Sequence, residues 1–582
     1  MGITTSARIQ NGYFGRIEYN AKTKTSKFIA LGKAVIVDDI CEDIENGDVF
    51  LKLHFDYLGK SKKIKVLRDE IADQAFLKTL ARKGGAGSKN TYQTLVDTII
   101  LQEEDFENNG YSVSSVYSNL GWISLPDENG NYDLCYRANK LIGVHIAEYV
   151  GDYDIREYGR YTEWKNLIEK QVVGSPVLEI TLIASLAAVP NGIISAQTGI
   201  GNPIIHLCYA SGKGKSTALM LAASTTGKPF DGEVKEIDSN GDTKTYKSIY
   251  QSWSATDNAM VTAQAGNRGV VTVLNELGKS LSPNMTRLIF DLSEGSDKNR
   301  LNKDMKSSIS EGFTTTFISC GESSLLDRCK SKYEGLAVRV MEINKPVTES
   351  AEQSREIVRV CKNNGGFAAP MVAKYIIDNG GVDYVMAIYN RWVETLQAEI
   401  INTPSAERFV EKFAALFMTT TEIATNALGI NFDIQGIHDF VCRYDEESGT
   451  LRNTSISSYN LIVEKCHVSD HKFYYKSNKS KLEKVPLAEC WGKISYKNKV
   501  LPDGRKVVEE LEVRPSVVAT ILHQNGYENI KTCEKAWTDA GLISCDKDRP
   551  TRSRKIDPFS NHYEDVYVFR VFEKAGDSSA GD

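Results

Sequence analysis

The sequence has 582 residues, which is enough for about three or four domains and at least one large buried core. Its formal net charge of −6 excludes a globally basic protein, so any nucleic-acid surface must come from local clusters of Lys and Arg. Its 11 cysteines are odd in number and never spaced as C-x-x-C, which argues against a zinc site and against a disulfide framework.

The sequence shows no pattern of a secretion signal or a membrane segment. The N-terminus lacks a basic region followed by an apolar one, and the most apolar stretch, 176–194, is interrupted by Glu179, Pro190 and Asn191. We therefore expect a cytoplasmic protein with reduced cysteines and no membrane partner.

The chain is predicted to be a multidomain α/β protein. Residues 1–158 alternate polar and apolar side chains in short runs, such as 49–55, and predict a strand-rich α+β N-terminal domain. Residues 159–345 alternate strand and helix patterns, as the open α/β sheet of a core domain requires. Good helix formers dominate 346–450 and predict a helical lid behind that core.

The segment 209–217 reads Y-A-S-G-K-G-K-S-T and lies between an apolar strand pattern and a helical one. This order predicts a site for ATP with Mg²⁺, because loop N–H groups and a helix N-terminus can hold phosphate oxygens. Lys215 is expected to reach the β- and γ-phosphates, and the Ser216 hydroxyl to ligate Mg²⁺. The alternative is a Gly-rich turn that binds no ligand.

The loop departs from the usual G-x-x-x-x-G-K-[ST] pattern at one position, where Tyr209 replaces the first glycine. We expect this change to affect the entry turn more than the phosphate contacts, with Gly212 supplying the flexibility. The remaining contacts to nucleotide are expected from Ser211, Gly212, Lys213, Gly214 and Thr217.

A second apolar strand pattern, 270–274, ends in Asn275 and Glu276, at the Walker B position of such ATPases. Glu276 is expected to orient the attacking water, and Asn275 to stand in the Mg²⁺ site where an Asp is usual. Because Asn carries no charge, we expect weaker Mg²⁺ binding and slow hydrolysis. A buried strand that ends in an exposed turn is the alternative.

Two further runs carry candidate nucleotide contacts. The strand pattern 314–320 ends near Ser319 and Glu322, which either sense the γ-phosphate or merely cap the strand. The run 335–343 is predicted as a strand with Arg339 in apolar surroundings. This arginine either stabilises charge on a neighbouring subunit's γ-phosphate or forms an intramolecular salt bridge.

Basic clusters provide the candidate DNA contacts. The polar stretch 293–306 is predicted to be a hairpin whose Lys298, Arg300, Lys303 and Lys306 contact single-stranded DNA in a pore. The stretch 549–555 is predicted to be a wing that contacts duplex DNA through Arg549, Arg552, Arg554 and Lys555. Solvated surfaces, or contact with another protein at the wing, are the alternatives.

Residues 451–573 are predicted to hold a basic segment followed by a winged helix. The segment 472–506 has ten Lys or Arg against three Asp or Glu, interleaved with aromatic residues. Helical patterns near 515–525 and 528–540 and an extended C-terminal run follow it. Residues 574–582 are expected to be a disordered tail.

Trp164, the phosphate loop, the motif at 252–258, the Asn275–Glu276 strand end and the motif at 319–322 follow one another in an order that resembles a known family. This is the family of helicase-like ATPases from prophages, plasmids and staphylococcal cassette elements. Within it, the chain is most similar to the Cch-type helicases, which resemble the minichromosome maintenance (MCM) AAA+ helicases. The resemblance covers about residues 121–572.

The resemblance implies an AAA+ core with an insert hairpin, a helical lid and a winged helix, assembled as a hexamer of identical chains around DNA. It places Arg339 in the slot of the arginine finger and Arg408 in that of the nucleotide-contacting lid arginine. Two functions remain open. One is a ring-forming DNA helicase that replicates a mobile element, and the other is an ATP-switched initiator or recombination cofactor that unwinds weakly or not at all.

Overall fold

A computed structural model of the protein describes residues 6–20, 22–237, 243–295, 300–301, 307–308, 312–329, 334–400, 404–452, 454–476, 482–486, 489–527, 529–546 and 549–573. The predicted tail at 574–582 lies outside them. Within them the chain is a mixed α/β protein with separate N-terminal, central and C-terminal hydrophobic cores.

The N-terminal part is rich in strands, as predicted. Its elements are β1 (Ala7–Gln10), β2 (Tyr13–Asn20), β3 (Thr25–Lys33), β4 (Ile36–Asp43), β5 (Val49–Tyr57), β6 (Lys60–Leu67), α1 (Ala75–Lys83), α2 (Tyr92–Asn108), β7 (Ser114–Tyr117), β8 (Gly121–Pro126), β9 (Tyr132–Arg137), β10 (Leu141–Ile142) and β11 (Glu148–Tyr149). Five of the strands form a sheet in the order β11-β7-β4-β5-β6. Leu51, Leu53 and Phe55 alternate along β5 into a core that α2 closes.

The central part contains a five-stranded parallel sheet. Its elements are α3 (Tyr161–Gln171), α4 (Pro176–Leu186), α5 (Ala188–Thr198), β12 (Ile204–Cys208), α6 (Lys215–Ser224), β13 (Glu233–Ile237), β14 (Thr243–Lys247), β15 (Tyr250–Ser252), α7 (Asp257–Thr262), β16 (Thr272–Asn275), α8 (Met285–Glu294), β17 (Arg300–Leu301), β18 (Ser307–Ser308), β19 (Phe317–Gly321), α9 (Glu334–Ala337) and β20 (Val340–Ile343). The sheet order is β15-β16-β19-β12-β20, and every neighbouring pair is parallel. All five carboxyl ends therefore meet at one edge, where ligands bind in open α/β sheets.

One predicted strand is wrong in its first half. The run 335–343 was expected to be extended throughout, but 334–337 form a short helix and the strand begins at Val340. Leu336 and Val340 both enter the same hydrophobic cluster, and a spacing of four residues puts them on one face of a helical turn as well as of a strand, so the apolar pattern did not distinguish the two. Arg339 consequently lies in the turn before β20, where its N–H donates to the Leu336 carbonyl at 3.0 Å.

Helices dominate the part of the chain that follows the central sheet, and their role as a lid stays a prediction. They are α10 (Ala351–Asn363), α11 (Ala368–Asp378), α12 (Gly381–Glu399), α13 (Pro404–Phe409), α14 (Ala415–Leu428) and α15 (Ile434–Arg452), with a π-helical turn at Val410–Ala414. A single hydrophobic core runs from Leu120 to Val441 and joins these helices to α3–α6, β12 and β16. It also includes β8 and β9, since the Trp122 indole donates to the Val189 carbonyl at 2.7 Å. Residues before about 120 therefore pack in the N-terminal core, and those from there to Val441 pack in the central core. The domain boundaries at 158 and 345 stay predictions.

The C-terminal part has its own core. Its elements are α16 (Thr454–Val468), β21 (Phe473–Lys476), β22 (Leu482–Lys484), β23 (Gly492–Val500), β24 (Lys506–Val513), α17 (Pro515–Gln524), α18 (Ile530–Asp539), β25 (Arg552–Arg554) and β26 (Glu564–Phe572). The strands form one sheet in the order β22-β21-β23-β24-β26-β25. The two predicted helices are present, and the basic segment 472–506 supplies strands of this sheet. Trp537 of α18 is fully buried against Tyr567 and Phe569.

Among the described residues, no single helix is both long and apolar enough to span a membrane. The helices α4 and α5 reach the necessary length and apolar content only as a pair, and they are bent by 60° relative to each other.

Candidate active site

The loop between β12 and α6 takes a backbone path that requires glycine. Gly212 and Gly214 have φ angles of 73° and 87°, in the left-handed region. A Cβ on Gly214 would also lie 2.5 Å from the Thr348 hydroxyl oxygen, whereas a Cβ on Gly212 would meet no protein atom within 4 Å. Tyr209 is absent from the described residues with positive φ, so the entry turn needs no glycine there. This agrees with the expectation that Gly212 supplies the flexibility.

Lys215 is the first residue of α6 and is buried at 9% exposure. Its ammonium donates hydrogen bonds to the carbonyls of Tyr209 and Ala210, at 2.5 and 3.0 Å. These bonds fold the side chain back over the loop. An ammonium group carries three donors, so it can hold a further acceptor in front of the helix N-terminus.

The loop faces a cleft of about 240 Å³ at the carboxyl edge of the sheet. Many of the predicted site residues come together there. The lining consists of Ser211, Gly212, Gly214, Lys215, Ser216, Thr217, Glu276, Cys320, Gly321, Glu322 and Ser354. Lys213 is exposed instead, and its carbonyl accepts hydrogen bonds from the N–H groups of Val347 and Thr348. The cleft thus brings together one ammonium, four hydroxyls and two carboxylates.

Glu276 lies just after β16 with φ 63° and ψ 71°, a left-handed conformation that costs a non-glycine residue about 1–3 kcal/mol. The chain turns sharply at this point into a short 3₁₀ turn, and the Glu276 side chain lines the cleft. Such strain is typical of residues held in place for function, which fits the role expected for Glu276.

Asn275 lies next to the cleft but is not among its lining residues. Its side-chain oxygen accepts a hydrogen bond from the Cys320 thiol at 3.2 Å, and its carbonyl accepts one from the Trp253 N–H at 3.1 Å. Burial raises the pKa of Cys320, so the thiol keeps the proton that it donates. The role of Asn275 in a Mg²⁺ site stays a prediction.

Ser319 lies inside the sheet rather than in the cleft. The Trp253 indole donates to the Ser319 hydroxyl at 3.0 Å, and that hydroxyl lies 2.9 Å from Nδ1 of His206. His206 Nε2 lies 3.0 Å from the Ser323 carbonyl, which can only accept, so Nε2 carries the proton and Ser319 donates to Nδ1. Burial lowers the pKa of His206 to about 4, which keeps the ring neutral. Both hydrogen-bonding directions of Ser319 are therefore used within the protein.

Sequence reasoning missed three residues at the cleft. Cys320 lines it beside Glu322, and the Ser354 hydroxyl lies 2.6 Å from that of Thr217. Tyr250 is buried close to Ser216, and burial together with nearby carboxylates raises its pKa, so it stays neutral. Signals were available for Cys320, which lies inside the motif at 319–322, and for Tyr250, two residues before the motif at 252–258.

The two candidate arginines lie outside the cleft lining. Arg339 forms a salt bridge with Glu294 at 3.1 Å, donates to the Gly335 carbonyl at 2.7 Å, and stacks on Phe290 with 4.6 Å from guanidinium to ring centre. This is the intramolecular alternative that the sequence left open. Arg408 is exposed on α13.

The predicted pore residues Lys298, Lys303 and Lys306 lie outside the described residues. Arg300 begins β17, whose antiparallel pairing with β18 agrees with the predicted hairpin. At the predicted wing, the arginines lie next to acidic side chains. Arg549 contacts Asp546 and Asp565, Arg552 contacts Asp546, and Arg554 lies 3.6 Å from Glu512, while the Lys555 carbonyl accepts a hydrogen bond from Lys493.

Two family models match the sequence. A domain of unknown function, DUF927, matches residues 8–307, and a Cch helix-turn-helix domain matches residues 455–574. A search of curated proteins gives no match.

Among solved structures, the one described as SCCmec type IV Cch, active helicase, superimposes with a TM-score of 0.74 at 20% identity and covers 98% of both chains. A second, from Cytophaga hutchinsonii and provisionally named an ATPase, is 14% identical and covers 50% of this chain and 90% of its own. Its TM-score of 0.24 is too low to indicate a shared fold. The resemblance to Cch-type helicases is therefore confirmed, through the overall fold and the family of the C-terminal domain.

Proposed function

The chain belongs to the family of the domain of unknown function DUF927, and we propose that it is an ATP-dependent DNA helicase. The observation that carries this proposal is the cleft, where Lys215 and Ser216 at the start of α6 face Glu276 and Glu322 at the ends of β16 and β19. A cation, a hydroxyl and a carboxylate in this arrangement suit hydrolysis of a nucleoside triphosphate.

The residues present fit ATP with Mg²⁺. The left-handed backbone at Gly212 and Gly214, with Thr348 filling the space beside Gly214, opens the loop N–H groups toward the N-terminus of α6. Lys215 would hold the β- and γ-phosphate oxygens. The Ser216 hydroxyl, which lines the cleft, would ligate Mg²⁺. Bound ATP supplies the phosphoanhydride bond, and the Glu276 carboxylate would orient the water that attacks it.

The sheet order supports an AAA+ core, because β12, which precedes the phosphate loop, lies between β19 and β20 as in that class of ATPase. In this proposal 159–345 form the core, 346–450 the lid and 451–573 a basic segment with a winged helix. The likeness to the Cch structure supports the same arrangement, although its 20% identity speaks for fold alone.

We further propose an MCM-like hexamer in the cytoplasm that moves along DNA and replicates a mobile element. Single-stranded DNA would pass the hairpin at 300–308, and duplex DNA would contact the C-terminal domain. The match of that domain to the Cch helix-turn-helix family supports the second contact. Arg408 as a nucleotide-contacting lid residue is part of the same proposal.

An ATP-switched initiator or recombination cofactor is the second candidate, and one observation favours it. Asn275 stands where a carboxylate is usual, and its side-chain oxygen is already bonded to Cys320. Weak metal binding and slow hydrolysis would follow, and these suit a switch better than a motor.

A strand-displacement assay, run together with an ATPase assay, tests the proposal. The wild-type protein is expected to displace a strand with ATP, and Glu276→Gln to bind ATP without hydrolysis or displacement. Glu163→Gln removes an exposed carboxylate on α3 outside the cleft and should behave as wild type. ATP binding without displacement by the wild-type protein would establish the second candidate instead.

A further inference from the structure

A second group of ligand-type side chains lies where two helices of the lid meet. Glu399 is the last residue of α12, and His438 and Cys442 lie one turn apart on α15. His438 Nε2 is 2.7 Å from a Glu399 carboxylate oxygen and 3.9 Å from the Cys442 sulfur, and all three ligand atoms lie within 4.8 Å of one another. We propose that Glu399, His438 and Cys442 bind Zn²⁺ and tie α12 to α15.

The three donors suit zinc in type and in spacing. Oxygen, nitrogen and sulfur together match a borderline-soft divalent ion better than Mg²⁺ or Ca²⁺, which take oxygen. Ordinary zinc bond lengths in a tetrahedron separate N from O by ~3.3 Å and N from S by ~3.5 Å. The observed 2.7 and 3.9 Å bracket these values, so shifts of about half an ångström would complete the site.

The surroundings of His438 also favour a cation. Its Nδ1 is buried, makes no hydrogen bond to any part of the chain that is described, and lies 3.5 Å from an Asp439 carboxylate oxygen. While Nε2 donates its proton to Glu399, Nδ1 carries a lone pair. That lone pair points toward the Asp439 carboxylate, which can only accept. Zinc on Nε2 moves the proton to Nδ1, where it can donate to Asp439 in the usual carboxylate–histidine–zinc arrangement.

The local charge is negative. Besides Glu399, the carboxylates of Asp439, Asp445 and Glu446 lie on α15 within four residues of Cys442. Glu399 also stands at the carboxyl end of α12, where the helix dipole adds partial negative charge. A divalent cation offsets both. Three protein ligands leave a fourth position for water. The cysteine spacing argued against a zinc site, but this site takes only one cysteine and needs no C-x-x-C pair.

Zinc binding to the full-length protein tests the proposal. After metal removal with a chelator, titration of Zn²⁺ against a chromophoric chelator should show one tight site per chain. Asp439→Asn should lower the zinc affinity ~10-fold. His438→Gln and Cys442→Ser remove a ligand and should lower it by more than ~100-fold, the largest loss usual for an outer partner. His471→Gln and Cys545→Ser are matched controls outside the site and should bind zinc as wild type.

Two readouts on the wild-type protein do not depend on how the variants fold. Co²⁺ should give visible d–d absorption and a thiolate charge-transfer band, and Zn²⁺ should protect Cys442, but not Cys490 or Cys545, from alkylation. Absence of the thiolate band, equal alkylation of Cys442 with and without zinc, or equal zinc retention by the Cys442→Ser variant would each overturn the proposal. His438 would then only form a hydrogen bond with Glu399.

Discussion

The buried chain of hydrogen bonds through Ser319 makes a sharp prediction for Ser319→Ala. The change removes the acceptor of the Trp253 indole and the donor to His206 Nδ1, and leaves both groups buried. Each buried group without a partner costs about 1–3 kcal/mol, so local opening of the sheet should become easier by ~2–6 kcal/mol. ATP affinity should change by less than ~2-fold, because Ser319 does not line the cleft.

Hydrogen exchange of peptides covering β12 and β19 is the suitable assay, because a chain with several cores need not unfold in two states. A loss of 2 kcal/mol corresponds to ~30-fold faster exchange where opening limits it. Ser323→Ala is the matched control, because Ser323 accepts the His206 hydrogen bond through its backbone carbonyl, which the substitution keeps. If Ser319→Ala exchanged like wild type but lost ATP turnover, Ser319 would be a phosphate sensor and the reasoning from the hydrogen bonds would be refuted.

Three further outcomes are expected. Gly214→Ala should weaken binding of a fluorescent ATP analogue by at least ~10-fold more than Gly212→Ala, since both strain the backbone but only the first forces a Cβ against a neighbour; equal losses would contradict this. The neutral His206 ring contributes stability above about pH 6.5 that is lost as the pH falls toward about 4, so the melting temperature of wild type should fall more steeply over this range than that of His206→Gln, and parallel curves would speak against it. Mixing Arg339→Ala with Glu276→Gln protein should not restore ATP turnover, because Arg339 is held within its own chain; recovery in confirmed mixed rings would assign it a role in trans.

Residues in local motifs were predictable from the sequence. Lys215 and Ser216 follow a strand and start a helix, and such a loop has few alternative geometries. Glu276 was found because it directly ends an apolar strand. For these residues the neighbours in sequence are also the neighbours that decide where the side chain lies.

Residues whose position depends on strand register were not predictable in the same way. Ser319 is opposite His206 on β12, so its hydroxyl faces a buried ring, while Cys320 and Glu322 reach the cleft. Sequence alone gives the strand but not its partner. Arg339 pairs with Glu294, which lies 45 residues earlier in the chain, and the sequence alone did not identify that partner. Tyr250 lies close to Ser216 only because the fold brings the two together.

The continuous central core has a consequence for how the gene can be dissected. The family model that matches residues 8–307 ends before β19 and β20, which are the two strands on either side of β12. A fragment cut at 307 would strip both edges of the strand that carries the phosphate loop and expose Ile205 and Leu207, which are fully buried. A cut after residue 452 leaves the central core whole and separates a C-terminal fragment that keeps its own core. The end of the family match and the boundary of a fragment that can be purified therefore differ in this chain.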